Sequence, residues 1–282
     1  MKNPLFRFVA VAGALVLLAG AVLYPTPPKK LDDGRILQEL QQELAAQGES
    51  IACLSKALDY GDLLSVSALV KVGGGSGSGV LVTRKIGEAN RTFVWTAAHV
   101  AAVVRKQDGT FGLLTVAKET RVDGELTGNY TVEAEVVAYS ESEDLALLEI
   151  MDNDFTTASA SFLLDDAIPA VGTEVVHVGS TLGLYNSVSL GVISQTDRQI
   201  EGVAFDQTST MGYPGSSGGG VFLKDGRCIG LLTQGYGPGL NFIVPVRRMR
   251  DWAARLGILW ALDPSHPVPT HVMRDAIPVE VE

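Results

Sequence analysis

Between Ser65 and Pro245 the chain is cut by turns into short β-rich runs, and that rhythm constrains the fold more than any other feature of the sequence. The runs are Ser67 to Val72, Gly79 to Thr83, Arg91 to Thr96, Thr131 to Tyr139, Leu145 to Ile150, Thr173 to Val178, Ser187 to Ser194, Val221 to Leu223, Cys228 to Leu232 and Asn241 to Val244. Short runs of β-branched and apolar residues bounded by turn residues read as strands. Asp225-Gly226 is a hairpin signal. Strands and helices do not alternate regularly, which disfavours a doubly wound parallel sheet. Glycine is abundant, at 31 of 282 residues, and suits many tight turns better than long helices. The expectation is an all-β protein of two packed β-barrels, about 63–155 and 163–245, divided near Asp152 to Asp166. Val246 to Leu256 follows as one helix with Met249, Trp252, Ala253 and Leu256 on one face.

The flanks differ in kind. Lys2 and Arg7 precede an uncharged, mostly apolar stretch from Phe8 to Tyr24. Residues 1–30 therefore read as a membrane anchor, or as a signal peptide cut after Ala19-Gly20-Ala21. Both readings put the following domain outside the cytoplasm. Residues 31–62 read as a helical spacer. Leu37, Leu40, Leu44, Gln47, Ile51, Leu54 and Leu58 alternate spacings of three and four, which suits a helix packed on its own domain or a short coiled coil joining copies of the chain. Gly48 weakens that helix. The tail, 263–282, carries Pro264, Pro267, Pro269 and Pro278 and is expected to be extended or disordered.

Charge and cysteine content remove several function classes. The net charge of −10 disfavours nucleic acid as a partner, because phosphate binding needs a basic footprint. Two cysteines, Cys53 and Cys228, cannot make a zinc cluster or a disulfide scaffold. One bridge and two separate thiols both remain open.

Three local features carry chemistry. His99 closes Thr96-Ala97-Ala98-His99 at the end of an apolar strand. Asp144 opens the buried run Asp144 to Leu148. Ser217 sits inside Gly215-Ser216-Ser217-Gly218-Gly219-Gly220. A serine hydroxyl is a weak nucleophile until a base takes its proton. The imidazole of His99 titrates near neutral pH and can serve as that base. Asp144 can accept the other ring N–H and fix the tautomer. Glycines around Ser217 leave the backbone N–H groups of Gly215 and Ser217 free to bind a developing oxyanion. Gly215-x-Ser217-x-Gly219 also matches the nucleophile elbow of α/β-hydrolases. That fold orders its triad serine, acid, histidine, whereas here the order is histidine, acid, serine. The second glycine-serine run, Gly73 to Gly79, reads as a flexible loop. It lacks the Lys-Ser/Thr ending of a phosphate-binding loop, so no nucleotide is expected there.

These residues resemble the chymotrypsin-fold serine proteases, and within them the HtrA/Deg-type trypsin-like peptidases. The resemblance runs from about Ser65 to Leu259. It rests on Gly75 to Val80, Thr96 to Val100, Asp144 to Leu148, Val178 to Leu184, Gly191 to Ser194, Gln207-Thr208, Pro214 to Gly219 and Asn241 to Pro245. It implies two six-stranded barrels within a protease domain of about 63–262, and an endopeptidase acting on polypeptide substrates with no metal or cofactor. His99 resembles the general base, Asp144 the orienting acid and Ser217 the nucleophile. Gly215 and Ser217 resemble the oxyanion donors, and Thr210, Met211 and Gly212 the primary substrate pocket. Thr210 to Pro214 contains no carboxylate, so uncharged, small or medium apolar residues are expected on the acyl side of the cut. A protease-like protein that binds peptides without cutting them is the alternative. The sequence departs from the pattern at three places. Val100 stands where secreted digestive relatives have a cysteine. Ser216 replaces the aspartate that in those relatives binds a newly cut N-terminus. Ser209 replaces an aspartate of the HtrA type. The residues after Ala261 are too few for a PDZ domain, so activation through such a module is not expected.

Overall fold

A computed structural model describes residues 59–122, 125–237, 239–269 and 279–280. The apolar stretch Phe8 to Tyr24, the 37–58 heptad pattern and Cys53 lie outside the described residues. Among the described residues no helix is long and apolar enough to cross a membrane.

Six strands form the first barrel: β1 (Ser67–Val72), β2 (Gly75–Ile86), β3 (Ala89–Thr96), β4 (Leu114–Val122), β5 (Glu125–Ser140) and β6 (Leu145–Ile150). They follow the order β5-β4-β1-β2-β3-β6, and a β5–β6 pairing closes the ring. The second barrel is closed by β7 (Glu174–Gly179), β8 (Ser187–Ile200), β9 (Val203–Thr208), β12 (Asn241–Pro245), β11 (Cys228–Gly235) and β10 (Gly220–Leu223). The two-barrel expectation therefore holds, with the divide in the 151–173 connection. The strands beginning at Ser67 and Leu145 have the bounds read from the sequence, whereas β4 and β9 were not foreseen. Two short helices, α1 (Tyr60–Ser65) and α2 (Ala98–Ala102), add to the expected one, α3 (Val246–Leu256). The described end of the tail is the two-residue strand β13 (Val279–Glu280), which pairs in parallel with Tyr139 and Ser140 of β5.

Strand alternation builds three apolar cores. In β6, Leu145 and Leu147 join the cluster shared by both barrels, while Ala146 and Leu148 fill the first barrel. Both faces are thus buried, which explains the unbroken apolar run after Asp144. The second barrel also buries both faces of a strand, though a register shift in the β10–β11 pairing breaks the simple alternation of β11. Leu231 faces the shared cluster, and Ile229 and Leu232 face the barrel interior with Ile193, Val221 and Ile243. Helix α3 starts after Pro245 and ends at Gly257, whose φ of 69° supplies the left-handed stop. It buries Val246, Met249, Trp252 and Ala253. Trp252 meets Trp95 edge to face at 5.8 Å. Arg248 and Arg255 of the same helix hold Glu143, the residue before Asp144, at 2.9 and 2.6 Å.

The flexible-loop reading of Gly73 to Gly79 is corrected. Gly75 to Gly79 are the first residues of β2, paired with Val72 to Ala68. Glycine is needed there for space. A Cβ on Gly79 would lie 2.2 Å from Val94 Cγ1, and one on Gly77 would lie 2.5 Å from Val100 Cγ2.

Candidate active site

His99 lies in the first turn of α2, directly after β3, and Asp144 lies in the turn that opens β6. Because β3 and β6 are hydrogen-bonded neighbours, the two residues meet at one rim of the first barrel. His99 Nδ1 is 3.0 Å from both carboxylate oxygens of Asp144, and the His99 backbone N–H donates to Oδ1 at 3.0 Å. Asp144 adopts a left-handed φ of 51°, a conformation that short acids tolerate better than most residues. The His99 side chain stays half exposed. The hydrogen bond that its ring donates to Asp144 raises its pKa above the ordinary 6.5; burial opposes this and the carboxylate charge adds to it.

The second barrel brings Ser217 to the same place through β11. Thr233 links the two halves. Its hydroxyl donates to Asp144 Oδ2, and its carbonyl accepts from Ser217 Oγ at 3.1 Å. Thr233 carries no sequence motif of its own. A register shift between Leu232 and Gln234, in the β11–β12 pairing, falls at it. The Ser217 hydroxyl is engaged with that carbonyl and not with His99. Such contacts are often loose without substrate and tighten when one binds.

The backbone around Ser217 is held from both barrels. Ser78 of β2, fully buried, donates its hydroxyl to the Gly215 carbonyl at 2.7 Å and accepts from the Ser180 N–H at 2.7 Å. Its own N–H donates to the Ser217 carbonyl at 2.7 Å. Leu182 N–H donates to the Pro214 carbonyl at 2.7 Å. In a trans peptide the N–H points opposite the carbonyl, so this bond turns the Gly215 N–H away from Leu182. Among the described residues, neither the Gly215 N–H nor the Ser217 N–H has an acceptor, as an oxyanion site requires. Gly215 has φ 93°, and a Cβ there would lie 2.7 Å from the Ser180 carbonyl, so only glycine fits. Ser216 closes a local turn with Tyr213, its hydroxyl donating to that carbonyl at 2.6 Å. Ser209 likewise serves the backbone, accepting from the Val192 N–H at 2.9 Å.

The residues read as the primary pocket separate. Thr210 is buried with its hydroxyl bonded to Thr208, and Met211 is exposed. Gly212 faces the Asn241 side chain. Beneath the Ser217 loop lies a further histidine. His177, mid-strand in β7, is buried with its Nε2 unpartnered among the described residues, and its ring hydrogen-bonds the Ser216 backbone. Burial pushes its pKa down to about 4. Cys228 is a buried free thiol with its pKa pushed up to about 12. Among the described residues no cluster could hold a metal ion.

The model of a trypsin-like peptidase domain matches residues 77–231. A probable periplasmic serine endoprotease, DegP-like, of Pseudomonas fulva is 31% identical over 149 residues, covering 50% of this chain and 30% of the relative. The magnetosome formation protease MamE of Paramagnetospirillum magneticum is 32% identical over 184 residues, covering 62% and 22%. The serine protease Do-like HtrA of Lactococcus lactis is 31% identical over 169 residues, covering 56% and 36%. The chain thus spans about a third or less of the length of these curated relatives. Among solved structures, the serine endoprotease from Yersinia pestis aligns over 71% of this chain and 66% of its own, with a TM-score of 0.54 at 21% identity, a likeness of fold.

Proposed function

As the chain belongs to the trypsin-like peptidase family, with the chymotrypsin fold and HtrA-type relatives, we propose that it is a serine endopeptidase acting through His99, Asp144 and Ser217. The observation that carries this reading is the junction at Thr233. One residue contacts both the acid that faces His99 and the hydroxyl of Ser217, beside two backbone N–H groups with no acceptor. Ser217 Oγ attacks the peptide carbonyl while His99 Nε2 takes its proton. The carbonyl oxygen becomes an oxyanion facing the Gly215 and Ser217 N–H groups. His99 returns the proton to the leaving amine and the peptide C–N bond breaks, leaving an ester on Ser217. Water activated by His99 then hydrolyses the ester. A buried Lys or Arg of the substrate would meet no carboxylate from Thr210 to Pro214, which favours uncharged residues on the acyl side.

We further infer that the enzyme works outside the cytoplasm, held by Phe8 to Tyr24 or released by cleavage after Ala21. A relative named as periplasmic supports this.

One observation favours the alternative of a peptide binder that does not cut: the Ser217 hydroxyl rests on the Thr233 carbonyl. A fluorophosphonate separates the two, since it labels only a serine that a base activates. Labelling of the wild type, with peptide hydrolysis that Ser217→Ala abolishes, is the expected result. Peptide binding with neither labelling nor hydrolysis would establish the binder instead.

A further inference from the structure

Asp144 has a left-handed φ of 51°, so the peptide before it decides where its carboxylate points. The carbonyl of that peptide belongs to Glu143 and its N–H to Asp144. Both ends are held. The N–H donates to the Glu141 carbonyl at 3.2 Å. The carbonyl accepts from Arg248 Nη2 at 3.1 Å. A planar peptide held at both ends resists turning over. Turned over, it would let Asp144 relax to the negative φ that most residues prefer, and the carboxylate would leave its 3.0 Å contact with His99 Nδ1.

The guanidinium of Arg248 is itself fixed on every side. Its Nε and Nη2 donate to Glu143 Oε2 at 3.2 and 2.9 Å, so one group grips both the side chain and the main chain of Glu143. Its Nη1 donates to the Ala204 carbonyl of β9 at 3.0 Å, and its Cζ lies 4.8 Å from the centre of the Phe205 ring. Arg255, two turns along α3, takes the other Glu143 oxygen at 2.6 Å. The Arg248 side chain is only 12% exposed and that of Glu143 20%, so water screens the pair weakly. A guanidinium offers five donors in a rigid plane, which an ammonium cannot reproduce. The acid turn of the first barrel is thus tied to α3 and to β9 of the second.

We propose that Arg248 is a positioning residue of the peptidase: by holding the carbonyl and carboxylate of Glu143, it fixes the Glu143–Asp144 peptide so that Asp144 faces His99. This rests on the endopeptidase reading above and deepens it with a residue that acts only through Asp144.

Charge alone predicts the opposite of positioning. The charged groups around the turn are Glu143, Arg248 and Arg255, with Asp251 of α3 on the wall of the same cavity. On the first barrel, Glu141 pairs with Arg105 at 3.5 Å. Thr233 and Ser217, which reach the site from the second barrel, are uncharged. Removing a cation here would raise the midpoint of the His99 titration, whereas releasing Asp144 from the ring would lower it.

The test reads the second-order rate of fluorophosphonate labelling at Ser217 from about pH 5 to 9, which requires no known peptide substrate. The proteins are the wild type, Arg248→Gln, Arg248→Lys and, as a control, Arg250→Gln. Arg250 also bridges α3 to a loop, through the Leu164 carbonyl at 2.8 Å and Asp166 at 3.0 Å, but does not touch the acid turn. Arg248→Gln should lower the plateau rate about 10- to 100-fold, the scale of a small misplacement of a catalytic group, and move the acid midpoint down toward the 6.5 of a free imidazole. Arg248→Lys keeps the charge and loses the fork, so it should shift both in the same direction by less. It decides the matter should the glutamine form fail to fold. Arg250→Gln should stay within about twofold of the wild type with its midpoint unmoved. A midpoint that rises or stays in place in the Arg248 variants overturns the proposal and leaves the endopeptidase reading standing. So does a plateau within about twofold of the wild type, or an equal loss in Arg250→Gln. A wild type that does not label overturns both.

Discussion

The two barrels meet at one cleft and supply it with different things. The first contributes ionisable side chains, His99 and Asp144, fixed at the ends of hydrogen-bonded neighbours β3 and β6 whose strands are buried on both faces. The second contributes a hydroxyl and a set of backbone groups. Those groups sit in backbone conformations of positive φ, which glycine accepts and leucine resists: Gly215 at φ 93°, Gly218 at φ 86° and Leu182 at φ 55°. A left-handed leucine costs of order 1–2 kcal/mol, and the N–H of Leu182 donates to the Pro214 carbonyl. The first barrel uses one left-handed residue, Asp144 at φ 51°, and positions the rest of its chemistry with ordinary packing. The second must be held in place, and Ser78 of the first barrel does part of the holding.

The sharpest way to test this division is to remove one element from each side of it. Ser217→Ala should lower kcat by about 10⁴–10⁶, the scale on which members of such a unit fail, without shifting the melting temperature. His99→Ala should fall nearly as far, and the double variant no further. Additive losses would mean the two barrels do not act on one reaction. Leu182→Pro removes the N–H and imposes a φ near −65°, freeing the Pro214–Gly215 peptide to turn. Its kcat should drop about 10²–10³, the effect of losing one oxyanion donor. Leu182→Gly, which keeps the N–H and the left-handed backbone, should recover most of that loss. A Leu182→Pro enzyme with wild-type kcat would show that the oxyanion peptide is held by Ser78 alone.

How much of this was legible beforehand also differs between the barrels. His99, Asp144 and Ser217 were readable because each sits in a local pattern with a chemical reason. Helix α3 was readable at both ends because Pro245 precedes it and Gly257 stops it. Strand β4 was not, since Lys118, Glu119 and Arg121 interrupt its apolar alternation. Strand β9 hides behind Asp206, a buried carboxylate tolerated only because Arg247 pairs with it at 2.7 Å from α3. Thr233 had no local signal at all. Its role comes from the strand register that brings its hydroxyl to Asp144. The Gly73 to Gly79 run misled for a related reason: composition alone cannot separate a glycine that bends from one that makes room.

Each barrel also carries one histidine whose pKa departs from the ordinary value, and the two shift in opposite directions. His177 is buried and uncharged, with its pKa lowered from 6.5 to about 4. The unfolded chain therefore takes up the proton first. The stability that the neutral ring contributes is complete above pH 6.5 and is lost progressively as the pH falls toward 4. The whole interval is worth about 3 kcal/mol. Urea unfolding at pH 7 and at pH 4.5 should show the wild type losing more stability than His177→Gln, with most of the difference appearing below pH 6. Equal losses in both proteins would mean that the site beneath the Ser217 loop opens to water. Any such opening would remove the contrast with His99.

The smallest effect expected near neutral pH concerns His99 itself. Its pKa is raised because the hydrogen bond it donates to Asp144 outweighs burial, so the ring binds its proton more readily than a free imidazole. A protonated ring cannot accept the Ser217 proton. The acid limb of kcat/KM should therefore have its midpoint above 6.5, with activity falling tenfold per pH unit well below it and levelling above. The linkage to stability runs opposite to that of His177. A raised pKa stabilises the folded chain at pH values below 6.5, and that contribution fades as the pH rises through the folded value. Loss of activity between pH 7 and 6 should accordingly be reversible and leave the circular dichroism spectrum unchanged, because the ring that switches off catalysis is not the one whose protonation loosens the fold. A midpoint at or below 6.5 would show that burial governs His99, and that its ring does not keep the 3.0 Å contact with Asp144 in solution.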